Sequence, residues 1–358
     1  MSDDAYSRLA RVLDTLPNGF PATKSGIEIR ILKKIFTPEE AELFCDLRLT
    51  PETAEEIAAR TGRPLEGLRE KLISMRQRGE IAGFVLGDVA MFKMMPWIVG
   101  IYEFQLNRMD RELAKLCEQY SMVWGGHFLK HGPQIMQVVP VERLIPVEQE
   151  ALTYHQVSNL IDKSKSFMVN ECICKKQRGL LDHPCTKPVE VCLAMAPLPG
   201  LLDNHPWGGR VITREEAYEV LRIAEDAGLV HLIGNVENGH HFICNCCGCC
   251  CGILQAVKRF PAAVNSHYYA RIDPDRCSAC GVCAGERCPI GAIAVDGDSY
   301  RVIREKCIGC GLCATTCPEE AIELIAKERN DRTSPPENEK AWFEERARQR
   351  GTDFSAFK

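Results

Sequence analysis

Cys277-Ser-Ala-Cys280-Gly-Val-Cys283-Ala-Gly-Glu-Arg-Cys288-Pro289 is answered further along the chain by Cys307-Ile-Gly-Cys310-Gly-Leu-Cys313-Ala-Thr-Thr-Cys317-Pro318. The two stretches are one motif written twice. Three cysteines at two-residue spacing wrap a loop, so their thiols converge on a common centre. The fourth, followed by proline, leaves that loop and opens a new turn. Gly281 and Gly311 follow the second cysteine of each copy, where backbone without a Cβ folds closely round a bound group and offers it N–H donors. The first copy has one extra residue before its fourth cysteine, which lengthens the loop and keeps both the thiol and its proline.

Over about 55 residues, 271–326, this pattern resembles the two-cluster bacterial ferredoxins. The second copy matches their C-x2-C-x2-C-x3-C-P run without deviation. The resemblance implies two [4Fe–4S] clusters that pass single electrons. The family's rule that the fourth cysteine serves the other cluster assigns Cys277, Cys280, Cys283 and Cys317 to one cluster. Cys307, Cys310, Cys313 and Cys288 then hold the second. Paired zinc knuckles also use C-x2-C, but eight cysteines, two prolines and the Gly-Ala-Ile and Glu-Ala-Ile that follow favour iron–sulfur.

Two further cysteine groups lie upstream. Glu171-Cys172-Ile-Cys174, with Cys185 and Cys192, puts four thiols within 21 residues, enough to saturate a metal. A third [4Fe–4S] cluster is expected there, with structural zinc as the plainer alternative. Lys175, Lys176 and Arg178 are placed to offset a cluster's negative charge. Cys244-Asn-Cys246-Cys247-Gly-Cys249-Cys250-Cys251-Gly252 is denser. Adjacent side chains diverge, so these six cannot all face one metal. The readings, in order, are a fourth cluster formed by part of the group, a larger non-cubane cluster shared with Cys172, Cys174, Cys185 or Cys192, and a reactive dithiol. A helix over 252–260 would set several thiols near its N-terminus, where the dipole lowers a thiol's pKa. The ECxC and CNCC-x-CCC elements with a C-terminal ferredoxin resemble a group of little-characterised iron–sulfur proteins of anaerobes over about 150 residues. That resemblance implies redox service and names no substrate.

Of the 20 cysteines in the 358 residues, all but Cys45 and Cys117 fall in these groups; those two sit in helix-like apolar patterns and read as buried and inert. The N-terminal stretch is polar, without the apolar core of a signal peptide, and no apolar run has the length of a membrane span. A cytosolic location is expected, where thiols stay reduced and bind metals sooner than they form disulfides. A net charge of −5 gives no general attraction to nucleic acid. His183, His205, His240 and His241 read as surface or supporting histidines. No Walker loop, dinucleotide fingerprint or haem-attachment motif is present.

The N-terminal pattern predicts helices over 6–16 and 38–49, a short helix opened by the capping box Thr53-Ala-Glu-Glu56, a helix from Pro64 to Gly79, and a hairpin of 81–86 and 89–94 about Gly87-Asp88. This order resembles a winged helix over about 60 residues. Its presumed recognition helix region carries Arg63, Arg69, Lys71, Arg76 and Arg78, but residues 53–93 balance seven basic with six acidic side chains, which favours protein docking over DNA. Further on, strands are predicted at 98–104 and 134–139, and helices at 107–120, at 147–166 and from the capping box Thr213-Arg-Glu-Glu216 to Gly228. Trp207-Gly-Gly-Arg210 reads as a tight loop.

The expected fold class is α+β: a winged-helix-like domain at 1–95, a mixed cysteine-rich domain at 96–265, a two-cluster ferredoxin-like domain at 266–326 and a charged, solvated tail at 327–358. The expected function is relay of single electrons through [4Fe–4S] clusters to or from a partner oxidoreductase. One alternative is a redox- or oxygen-responsive transcription regulator that reads DNA through the winged helix. Another is an enzyme whose active site uses Cys246 or Cys249 of the dense group.

Overall fold

The computed structural model describes residues 4–145, 156–203, 205 and 208–358; the first part of the helix expected over 147–166, and Trp207, lie outside these residues. The fold is α+β. Helices α1 (Ala5–Thr15), α2 (Ile27–Ile35), α3 (Pro38–Phe44), α4 (Ala54–Thr61) and α5 (Leu68–Gln77) lead to a hairpin of β1 (Ala82–Leu86) and β2 (Val89–Lys93). Reciprocal capping boxes open α3 at Thr37 and α4 at Thr53, so two orphan backbone donors are satisfied at each start. α2 lies between the helices expected over 6–16 and 38–49, where no element is expected. α5 begins at Leu68 and not at Pro64, because Gly67 takes a left-handed φ of 72° and Leu65 faces solvent.

Apart from α2, the order of helices and hairpin is the expected one, but the basic residues are committed within the fold. Arg63 pairs with Asp46, Lys71 with Glu39, and Arg78 with Glu40 and Glu80. Arg76 is buried and donates to the Gly83 carbonyl, and Arg69 donates to that of Asp88.

The apolar run at 98–104 is not a strand. It is a kinked turn over Trp97–Ile101 followed by one helical turn, α6 (Tyr102–Phe104); periodicity in a short apolar run does not separate strand from buried helix. The next helix is displaced to α7 (Arg111–Phe128), because the Asp110 carboxylate caps it by accepting from the Leu113 N–H at 2.8 Å.

The middle region is a six-stranded antiparallel sheet in the order β3-β7-β8-β5-β4-β6. Its strands are β3 (Met136–Val139), β4 (Ser166–Glu171), β5 (Glu190–Ala196), β6 (Arg210–Ile212), β7 (Val230–Gly234) and β8 (Phe242–Cys246). Helices α8 (Val157–Lys163) and α10 (Arg214–Asp226) pack on one face through Leu160, Ile161, Val220 and Ala224. The opposite face joins the core of the N-terminal helices through Met136, Leu232 and Phe242. α9 (Ile173–Leu180) and α11 (Gly252–Val257) follow β4 and β8. The helix expected to run to Ser166 ends at Lys163, and Ser166 opens β4 instead.

In the C-terminal region β9 (Tyr268–Ile272) pairs with β12 (Ile322–Ala326), and β10 (Ile293–Asp296) with β11 (Ser299–Val302). The charged tail is not a solvated helix. α12 (Glu339–Arg350) lies on the body, with Trp342 and Arg346 buried. The Arg346 guanidinium sits 3.7 Å over the Phe128 ring and donates to the carbonyls of Phe128 and His131 at the C-terminal end of α7. The Phe128 carbonyl is at the negative end of the helix dipole, so a buried cation there has partners. Among the described residues no helix is long and apolar enough to cross a membrane.

Candidate metal centres

The ferredoxin-like motifs close round two cavities. Cys277, Cys280, Cys283 and Cys317 line one. Cys288, Cys307, Cys310 and Cys313 line the other. The fourth cysteine of each copy has crossed to the other copy's loop, as the ligand rule requires. The two crossing thiols are held alike: Ala292 N–H donates to Cys288 Sγ at 3.1 Å and Ala321 N–H to Cys317 Sγ at 3.3 Å. Cys307 Sγ accepts from Ala270 and Gly309 N–H, both at 3.4 Å. Donors aimed at sulfur favour the thiolate and tune a cluster's potential. Gly281 and Gly311 take left-handed φ values of 78° and 82°, as their place in the motif demands.

The extra residue of the first copy is absorbed in a widened turn. Cys288 N–H reaches the Cys283 carbonyl at 3.0 Å, five residues back, where the second copy makes a 3₁₀ turn over Ala314–Thr316. The turn carries Arg287, which is buried and clamps the domain to α10. It donates to the carbonyls of Glu225 and Asp226, each at 2.9 Å, to that of Leu312 at 3.2 Å and to Thr315 Oγ1 at 2.9 Å.

The ten upstream thiols separate by strand alternation. Along β8, Phe242, Cys244 and Cys246 belong to the core of the N-terminal helices. Ile243 and Cys247 belong to the core under α8 and α10, as side chains pointing alternately to opposite faces must. Cys192 of β5 shares the Cys244 face, because the register that pairs Leu193 with Ile243 brings Cys192 opposite Cys244.

The result is a closed ring of six thiols. Cys172 contacts Cys174 and Cys192, Cys174 contacts Cys251, Cys192 contacts Cys244, and Cys246 joins Cys244 to Cys251. Cys172 and Cys251 are the N-caps of α9 and α11. Contacts from Cys174 and Cys192, then the Lys175 backbone N–H, hold Cys172 well below the usual thiol range. Contacts from Cys174 and Cys246, then the Leu254 N–H, do the same for Cys251. Cys192 and Cys246 lower Cys244 to about 6. The intervening Cys174, Cys192 and Cys246 are pushed up, chiefly by donating to those neighbours. Beside the ring, burial raises the Glu103 carboxyl to about 8.

Cys185 does not join Cys172, Cys174 and Cys192. It lies with Cys247, Cys249 and Cys250 on the other side of the sheet, and these four sulfurs all fall within 4.8 Å of one another. The six cysteines of the dense group are thus divided between two sites, although Cys249 and Cys250 share one despite being adjacent.

Gly248 lies between Cys247 and Cys249 of this four-thiol group. A Cβ there would lie 1.9 Å from the Pro289 carbonyl oxygen, so the thiol loop rests directly on the crossing segment of the dicluster motif. Lys175 is buried with its ammonium donating to the Pro188 carbonyl, and Arg178 pairs with Glu118. Burial pushes the thiol of Cys45 up to about 12 and that of Cys117 higher, so both are inert. His240 and His241 line a cavity with Trp342, and His205 packs at a tilt against the Phe104 ring.

Thiol quartets with crossed fourth ligands and sulfur-directed N–H groups define an iron–sulfur binding protein, and residues 270–324 match the family model described as a 4Fe-4S dicluster domain. That segment is a [4Fe–4S] dicluster domain of bacterial ferredoxin type. The chain is similar to the B component of the ion-translocating oxidoreductase complex of Methanosarcina acetivorans, 46% identical over 48 residues, 13% of this chain and 18% of that protein. It is similar to the electron transport protein HydN of Escherichia coli K12, 42% identical over 40 residues, 11% of this chain and 23% of HydN. A probable iron-sulfur protein of the Frd operon of Proteus vulgaris is 42% identical over 40 residues, 11% of this chain and 26% of that protein. The chain spans about a quarter or less of the length of these relatives. No solved structure matches it.

Proposed function

We propose that this protein relays single electrons between a partner oxidoreductase and an interior iron–sulfur site, in a reducing, cytosolic setting. The observation that carries the reading is the core that Cys174, Cys244, Cys246 and Cys251 of the six-thiol ring share with Cys288, Cys307 and Cys310 of the dicluster domain, while the contact of Gly248 with Pro289 seats the neighbouring four-thiol loop on the same domain. Cys280 is exposed, so the quartet of Cys277, Cys280, Cys283 and Cys317 faces outward, toward a partner. The quartet of Cys288, Cys307, Cys310 and Cys313 faces inward: its first three members pack on that core, and Cys313 is buried among the dicluster strands.

Six thiolates exceed the four a cubane takes, so the ring suits a cluster with more terminal positions than [4Fe–4S]. The names of the similar proteins, an electron transport protein and a component of an oxidoreductase complex, agree with a role as dedicated carrier or as part of a larger redox assembly. The internal pairing of Arg63, Lys71 and Arg78 supports the N-terminal helices as a docking module and leaves little charge for DNA.

Protein purified without air should bleach with dithionite and recover its visible absorbance on adding a one-electron acceptor such as benzyl viologen. Bleaching that does not reverse would sink the proposal, and air-sensitive, salt-dependent retardation of DNA in a gel would favour the regulator instead.

A further inference from the structure

The four thiols of Cys185, Cys247, Cys249 and Cys250 differ in spacing from every other cysteine quartet in the protein. We infer that they bind a single tetrahedral metal ion of the zinc class and not a fourth cubane.

The distances decide it. Cys185 Sγ lies 3.7 Å from Cys247 Sγ and 3.6 Å from Cys249 Sγ, and Cys249 Sγ lies 3.7 Å from Cys250 Sγ. Four sulfurs about 2.3 Å from one ion stand about 3.8 Å apart along the tetrahedron's edges. A cubane distributes its terminal thiolates over four irons and holds them farther apart. The dicluster domain supplies the comparison within the same chain. Among the described residues, only the 185–250 group brings three or more candidate metal ligands all within 4.8 Å of one another. The two ferredoxin quartets, which line voids, do not, and neither do three members of the six-thiol ring.

The ligand set is all protein and all sulfur, with four donors and no open position, which is the make-up of a structural site. Its place in the fold suits that role. Cys185 follows α9, whose first turn feeds the six-thiol ring, while Cys247, Cys249 and Cys250 bracket Gly248 on Pro289. One ion would therefore tie α9, the end of β8 and the dicluster domain together. Gln255 and Lys258 of the following segment hold the same loop by donating to the Gly248 carbonyl, Lys258 at 2.7 Å.

The test is zinc, iron and acid-labile sulfide measured on the anaerobically purified full chain and on its Cys249→Ser variant, the exposed member of the four. The variant should lose one zinc, or one iron without sulfide, per chain while its sulfide stays unchanged. Loss of about four irons together with about four sulfides would overturn the inference. Should Cys249→Ser fail to fold, zinc-edge X-ray absorption of the unmodified chain gives the answer. Four sulfurs at about 2.3 Å support the single-ion site; a chain with neither such zinc nor iron in excess of sulfide refutes it.

Discussion

Replacing Arg287 with Met removes the clamp between the dicluster domain and α10 while keeping the volume of the aliphatic stem. Arg287 donates to four acceptors, but they are not equally exposed to the loss. The Leu312 carbonyl keeps a partner, because the Thr315 hydroxyl also donates to it at 2.9 Å. Thr315 loses only an incoming bond. The Glu225 carbonyl keeps the Gly228 N–H, also at 2.9 Å, so of the two carbonyls in the last turn of α10 it is that of Asp226 that loses its donor. A hydrogen bond to a charged group contributes about 1.5–3 kcal/mol, and this one sets the loss at about 2 kcal/mol. The assay is urea unfolding of anaerobically prepared protein, followed by cluster absorbance. With a slope of about 3 kcal/mol/M the midpoint should fall by about 0.7 M. A fall of less than about 0.3 M would refute the clamp and with it the docking of the two regions through this turn.

Three further outcomes are expected. Gly248→Ala forces a Cβ against backbone 1.9 Å away at a residue whose φ is not left-handed, so the effect is steric; overpacking of this kind costs about 1–3 kcal/mol. Gly252→Ala, with nothing within 4 Å of its Cβ, should be neutral or slightly stabilising, and equal midpoints for the two variants would contradict the contact. Arg346→Met strips two carbonyls and the Phe128 ring of their cation, and thermal unfolding should detect a loss of about 2–4 kcal/mol; an unchanged midpoint would return α12 to the role of a free tail. Burial lowers the His240 imidazole to about 4 from 6.5. The unfolded chain therefore takes up this proton first as pH falls. The stability that His240 contributes is complete above about pH 6.5 and is lost between there and pH 4. His240→Asn should flatten that part of the stability profile, and identical slopes for the two proteins would count against the burial.

What could be read in advance follows the range of the interactions. The dicluster ligands are set by spacings of two and three residues, so Cys277–Cys283 and Cys307–Cys313 were legible from local sequence, and the crossing of Cys288 and Cys317 from the proline after each. The capping boxes at Thr53 and Thr213 were legible for the same reason.

The division of the upstream thiols was not, because it depends on which face of a six-stranded sheet each residue of β8 meets. Alternation along Cys244, Cys246 and Cys247 holds the needed signal, but only once 242–246 is known to be a strand. Cys185 is sent to the far side by a loop that no local pattern describes. The extra residue before Cys288 is visible in the sequence as a longer loop, but the widened turn by which it presents Arg287 is not. Arg346 and Arg350 look like solvated charge in sequence, and only the carbonyls of α7 and of residues 14–17 on the folded body show why they are buried or half-buried.

The most direct test of the account is the electron paramagnetic resonance spectrum of the full chain, purified without air and reduced with dithionite. Electron relay through neighbouring clusters predicts a broadened, interacting signal that integrates to about two or more spins per chain and is absent before reduction. A reduced sample that is silent, or that carries one isolated cluster signal, would contradict it.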